Sequence, residues 1–159
     1  MSLPPVPLLA PASLAPDFTL PGTIESPLRL SDLRGRPVIL VFYPGDFTPV
    51  CGDQLTLYNE LLPMFGEFEA QLLGISVDDL DSHRAFAADR NLDFPLLADS
   101  DPLGEVARQY GAFDEKSQTC ERALFVLDRA GRIAWSYLSP RDLNPGADGI
   151  LRALESLPA

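Results

Sequence analysis

The chain has 159 residues, 46% of them hydrophobic and 22% charged, which is enough for one domain with a full core. Twelve basic residues against 23 acidic ones give a net charge of −11, which argues against nucleic acid and acidic membrane surfaces as partners. With 2 cysteines and 1 histidine the chain is a poor candidate for a disulfide framework or a closed four-ligand zinc site.

Residues 1–15 form an apolar, proline-rich arm, and residues 16–159 read as a single domain. The first basic residue is Arg29 and proline interrupts every apolar run, so the arm does not read as a secretory signal. No run reaches transmembrane length. A cytoplasmic location is expected, where a thiol stays reduced.

Pro16 to Leu20 and Leu28 to Leu33 read as short extended segments around Pro21-Gly22. Val38 to Pro44 begins with a continuous apolar run, the pattern of a strand buried on both faces. Thr48-Pro49 then predicts a helix start, with Thr48 as N-cap and Pro49 at the first position. Leu55, Tyr58, Leu61, Leu62 and Phe65 carry that helix at a spacing close to 3.6, with a kink or end expected near Pro63.

Gln71 to Val77 predicts a second buried strand, followed by a helix capped by Asp81 or Ser82 that runs to about Asn91. Phe94 to Ala98 is a third short strand, and Asp101-Pro102 reads as the opening of a helix ending at Gly111. Ala123 to Leu127 and Ile133 to Leu138 flank a turn over 128–131, a hairpin signal. Asn144-Pro145 reads as the start of a last helix with Ile150, Leu151, Leu154 and Leu157 on one face. Helices alternating with buried strands, then a hairpin, predict a three-layer α/β sandwich around a central mixed sheet.

On this reading Cys51 is the third helical residue, in the turn whose backbone N–H groups lack partners. The positive end of the helix favours a thiolate there. A dithiol exchanger wants C-x-x-C, but Gln54 lies three residues on and Thr48 three before. The thiolate must therefore react with something small and be regenerated by a more distant partner.

Pro44-Gly45-Asp46-Phe47-Thr48-Pro49-Val50-Cys51 resembles the peroxiredoxin signature P-x-x-x-T/S-x-x-C. Ala15 to Leu20, Leu30 to Gly35, Ser76-Val77-Asp78 and Arg122 to Gly131 look like further landmarks of that family. The resemblance spans nearly the whole chain from Ala15 and is strongest to the AhpE-like and bacterioferritin-comigratory-protein-like branches of the AhpC/TSA superfamily. It implies a thioredoxin-like fold without cofactor or metal. It also implies a thiol-dependent peroxidase that reduces hydrogen peroxide and small organic hydroperoxides through a sulfenic acid.

By the same resemblance Cys51 is the nucleophile, and Thr48 donates to the thiolate or the incoming peroxide. Pro44 shields the sulfur, Arg122 supplies positive charge and Gln54 buttresses Arg122. An external thiol reductant of thioredoxin, glutaredoxin or mycoredoxin type is implied, and a homodimer is one assembly open to the chain. Thr56 stands where some relatives carry a resolving cysteine in the same helix, which leaves Cys120 as the candidate. If the strand reaches back to Cys120, alternation puts Cys120 and Arg122 on one face; if it begins at Arg122, Cys120 lies in a loop. His83 reads as solvated, and Asp78-Asp79 as a capped loop before a helix rather than a metal pair. A peroxide sensor or redox relay shares every site residue with a scavenger. A thioredoxin-like disulfide reductase and a copper carrier are the other classes, and both want paired cysteines.

Overall fold

The computed structural model describes residues 8–158, so the arm before Leu8 lies outside the described residues. The chain runs through β1 (Thr19–Leu20), β2 (Leu28–Arg29), a 3-10 turn over Leu30–Leu33, β3 (Val38–Phe42), α1 (Pro49–Glu60) and α2 (Leu62–Glu67). Next come β4 (Gln71–Ser76), α3 (Leu80–Arg90), β5 (Leu96–Ala98) and α4 (Glu105–Gln109). The chain closes with β6 (Phe113–Asp114), β7 (Thr119–Cys120), β8 (Arg122–Leu127), β9 (Ile133–Ser139) and α5 (Asp148–Glu155).

The main sheet has the order β5-β4-β3-β8-β9. β3 runs parallel to β4 and β4 to β5, while β8 lies antiparallel to both β3 and β9. The sheet is therefore mixed, as the alternation of helices and strands predicts. Every residue of β3 and β8 is buried because packed layers cover both faces. Ile39, Val41, Leu124 and Val126 face one core, which Leu55, Phe65, Phe86 and Ile150 complete from α1, α2, α3 and α5. Leu40, Phe42, Ala123 and Phe125 face a second core with Phe18, Val106, Tyr110 and Cys120. There Tyr110 packs against both Phe42 and Phe125 with ring centroids 5.3 Å apart.

The arm residues 8–15 lie along the body: Leu9 N–H donates to the Tyr110 carbonyl, Ala12 N–H to Ile133 and Ala15 N–H to Gly131. Several predicted starts move. Residues 30–33 curl into a 3-10 turn instead of extending. Asp79, not Asp81 or Ser82, caps α3 by accepting the Ser82 N–H at 2.8 Å. α4 begins at Glu105, past Asp101-Pro102, and the buried Asp99 carboxylate accepts the N–H groups of Val106 and Ala107. Asn144 closes a local turn onto Gly146 N–H, and α5 starts only at Asp148. The break between α1 and α2 falls at Leu61, just ahead of Pro63, which has no N–H to continue the ladder.

Candidate active site

β3 ends at Phe42, paired with Ala123 of β8, so Arg122 stands beside the start of the loop that leads into α1. Alternation along β8 turns Arg122, Leu124 and Val126 toward the face that α1 covers. Thr48 is the extended N-cap residue (φ −98°, ψ 142°), Pro49 is the first helical residue and Cys51 the third, as the sequence indicates. Cys51 is fully buried.

The Arg122 guanidinium, only 2% exposed, comes to 3.4 Å from Cys51 Sγ. Arg122 Nη1 donates to Gln54 Oε1 at 2.6 Å. Its Nε and Nη2 donate to the main-chain carbonyl of Arg141 at 3.0 and 2.8 Å. Because arginine only donates, this contact fixes Gln54 with its oxygen toward Arg122 and its Nε2 toward the Tyr58 hydroxyl. Tyr58 in turn donates to the Gly146 carbonyl at 2.8 Å, and burial pushes its phenol up to about 12, so it stays a donor. Cys51, Gln54 and Tyr58 project from one face of α1 at a spacing of three and four residues. One loop carbonyl, bonded twice, and one glutamine thus hold a cation against a buried thiol.

Thr48 departs from its expected capping contact. Its hydroxyl, exposed at the loop surface, donates to the Gly45 carbonyl at 3.0 Å and accepts no helix N–H. Pro44 is half-buried in the bend directly after β3. Gly52 leaves room for the Arg90 guanidinium, which lies where a Cβ would stand.

Cys120 does not share the site. The strand begins at Arg122, and Cys120 belongs to the separate β6–β7 ladder, opposite Phe113. Glu121, between the two strands, donates its N–H to the Ala112 carbonyl, and the Cys120 thiol packs into the second core on the far face of the sheet. Burial, with Asp99 and Asp78 nearby, pushes that thiol well up. Both cysteines are free.

His83 is likewise not solvated: it is fully buried. It sits three residues before Phe86 on the inward face of α3, and that spacing is the sequence signal for its burial. Its Nδ1 lies 2.8 Å from Asp46 Oδ2, while Asp46 Oδ1 accepts from the Tyr43 hydroxyl at 2.7 Å. Atoms of Asp46, Asp78 and His83 converge within 4.8 Å, but each residue is committed to hydrogen bonds inside the protein. The arrangement is a buried polar network.

The profile of the AhpC/TSA family matches residues 11–136. The chain belongs to the AhpC/TSA family. Among AhpC/TSA relatives, Peroxiredoxin 2 of Thermoplasma acidophilum is 38% identical over 149 residues, covering 90% of this chain and 73% of that protein. Alkyl hydroperoxide reductase E of Mycobacterium tuberculosis is 36% identical over 132 residues, covering 82% of this chain and 86% of its own. The solved structure of peroxidoxin BcpB from Mycobacterium tuberculosis superposes with a TM-score of 0.83 at 31% identity, over 94% of this chain and 98% of that one. Enterococcus faecalis AhpC gives a TM-score of 0.85 at 27% identity, over 92% and 90%. These AhpC/TSA neighbours carry the thioredoxin-like fold expected from the sequence.

Proposed function

We propose that this chain is a thiol-dependent peroxidase in which Cys51 attacks hydrogen peroxide or a small organic hydroperoxide. The observation that carries the reading is the buried Cys51 thiol at the start of α1 with Arg122 Nη2 at 3.4 Å. The sulfur forms a bond to one peroxide oxygen as the O–O bond breaks. The other oxygen leaves as hydroxide or alkoxide and takes up a proton, leaving Cys51 as sulfenic acid. The helix start and Arg122 stabilise the charge that develops on the leaving oxygen. The Thr48 hydroxyl, now spent on Gly45, is placed to turn toward an incoming peroxide, and Pro44 narrows the approach. The names of the relatives, peroxiredoxin and alkyl hydroperoxide reductase, support the same chemistry.

For regeneration we propose an external thiol, of the thioredoxin, glutaredoxin or mycoredoxin kind, rather than Cys120. Cys120 is buried in the opposite core and its thiol is held neutral, so it lacks both access and thiolate character. Because Cys51 is also buried, the first turn of α1 has to open for a protein thiol to reach it. A free reactive thiol fits a reducing, cytoplasmic compartment. Among the described residues no helix is long and apolar enough to cross a membrane. Exchange of Cys51 for serine tests the reading. Cys51→Ser should consume no peroxide in the presence of excess dithiothreitol while keeping its far-UV spectrum and melting curve; peroxide turnover by the folded variant refutes it.

A further inference from the structure

The loop over 43–48 carries Pro44 and Thr48 and must hold its place if the Cys51 pocket is to keep its shape. Tyr43 N–H donates to the Ile75 carbonyl of β4, and beyond Tyr43 the loop's polar ties to α3 and the β4 end gather at Asp46. The Asp46 N–H donates to Asp78 Oδ2 at 2.8 Å, and Asp78 also accepts from the Ser76 hydroxyl. The Asp46 carboxylate, 1% exposed, accepts from the Tyr43 hydroxyl and, at 2.8 Å, from the Ser82 hydroxyl. His83 Nδ1 faces Oδ2 of the same carboxylate. Beside this tie, Phe47 packs edge-on against Phe86 of α3 at 5.2 Å, with its own φ at +60°. The loop is pinned to the first two turns of α3.

His83 closes the network from its far side. Its Nε2 lies 3.0 Å from the Leu97 carbonyl, which accepts and never donates, so Nε2 carries a hydrogen. Nδ1 lies 2.8 Å from a carboxylate oxygen, so one hydrogen bridges Nδ1 and Asp46 Oδ2. A buried hydrogen-bonded pair is costly to break one partner at a time, because the survivor is left unsatisfied.

We infer that His83, acting through Asp46, is a positioning residue for the Cys51 site: a buried imidazole that latches the 43–48 loop onto α3. It does not touch the reacting atoms. It fixes the backbone that presents Thr48 and Pro44 to the peroxide. Tyr43, Asp46 and Asp78 are the ionisable groups that face this latch, and burial and the nearby Asp46 push the Tyr43 phenol well up, keeping it a donor.

The inference rests on Cys51 being the peroxide-reactive thiol, and two measurements separate the claims. His83 is the chain's single histidine, so nitrogen-15 NMR of the labelled wild type reads one imidazole. The signal should shift when Cys51 is oxidised by one equivalent of peroxide and capped with dimedone. A signal that ignores the capped Cys51 overturns the latch. The second measurement is the rate of Cys51 oxidation in two variants. His83→Phe should lower it at least tenfold, while His83→Asn, whose amide can still donate to Asp46, should stay within threefold of wild type. Folded His83→Phe reacting within twofold of wild type overturns the inference. If that variant does not fold, the NMR result on the wild type decides. Failure of the Cys51 reading looks different, because peroxide then leaves wild-type Cys51 unmodified.

Discussion

At the scale of single residues, the candidate chemistry reduces to how a guanidinium is aimed at a sulfur. Arg122 makes three hydrogen bonds besides its contact with Cys51 Sγ, one to the Gln54 oxygen and two to the Arg141 carbonyl. Arg122→Met keeps the apolar stem but removes the charge. It should cost about 2–4 kcal/mol of transition-state stabilisation, a slowing of roughly thirty- to a thousandfold, measured by stopped-flow oxidation of Cys51. Gln54→Leu leaves the Arg141 carbonyl holding the guanidinium and removes one of the guanidinium's three hydrogen bonds, along with the Gln54–Tyr58 bond. Its loss should be smaller, about 1 kcal/mol. A Gln54→Leu defect as large as that of Arg122→Met means that the glutamine, not the carbonyl, sets the aim. As neighbours in the fold, Cys51, Arg122 and Gln54 were legible from the motif and its landmarks. Asp46 and His83 were not, because the one lies within the motif as an unassigned position and the other sits in a helix that reads as polar. Only the fold shows that β3, β4 and α3 bring them together.

At the scale of elements, α1 is the beam that carries the site. Its start was readable from Thr48-Pro49 because a cap and a first-turn proline satisfy the same local rule. The same logic misplaced α4 and α5, where Asp101-Pro102 and Asn144-Pro145 make turns ahead of the helix. In α4 the donors at the start are met by Asp99, six residues before the helix and outside the usual N-cap position. Tyr58 ties α1 to the loop that also supplies the Arg141 carbonyl. Tyr58→Phe should lower the unfolding free energy by about 0.5–1.5 kcal/mol through that lost bond, read as a lower urea midpoint. An unchanged midpoint shows that water replaces the hydroxyl at Gly146. For α3, Asp79→Ala should cost about 1 kcal/mol with an unchanged denaturant slope, since only a cap is lost.

At the scale of the molecule, the sheet separates the two thiols. Buried strands and intervening helices made the mixed sheet legible from periodicity, and the parallel β3–β4–β5 half follows from its helical crossovers. The placement of Cys120 was not legible, since it depends on whether one strand or two run through residues 119–127. A single non-strand residue, Glu121, separates the two strands, and the Cys120 side chain goes to the other core. Burial holds the Cys120 thiol in its neutral form at pH 8, so native Cys120 should be alkylated by iodoacetamide at least a hundredfold more slowly than in urea. Comparable rates would place it in an opening segment. The account as a whole turns on where peroxide leaves its oxygen. The most direct measurement is mass spectrometry of reduced wild-type protein after one equivalent of hydrogen peroxide, with dimedone present and thiols blocked before digestion. The account predicts a dimedone adduct on the Cys51 peptide with Cys120 recovered fully alkylated; an unmodified Cys51, or a Cys51–Cys120 linked peptide as the main product, would contradict it.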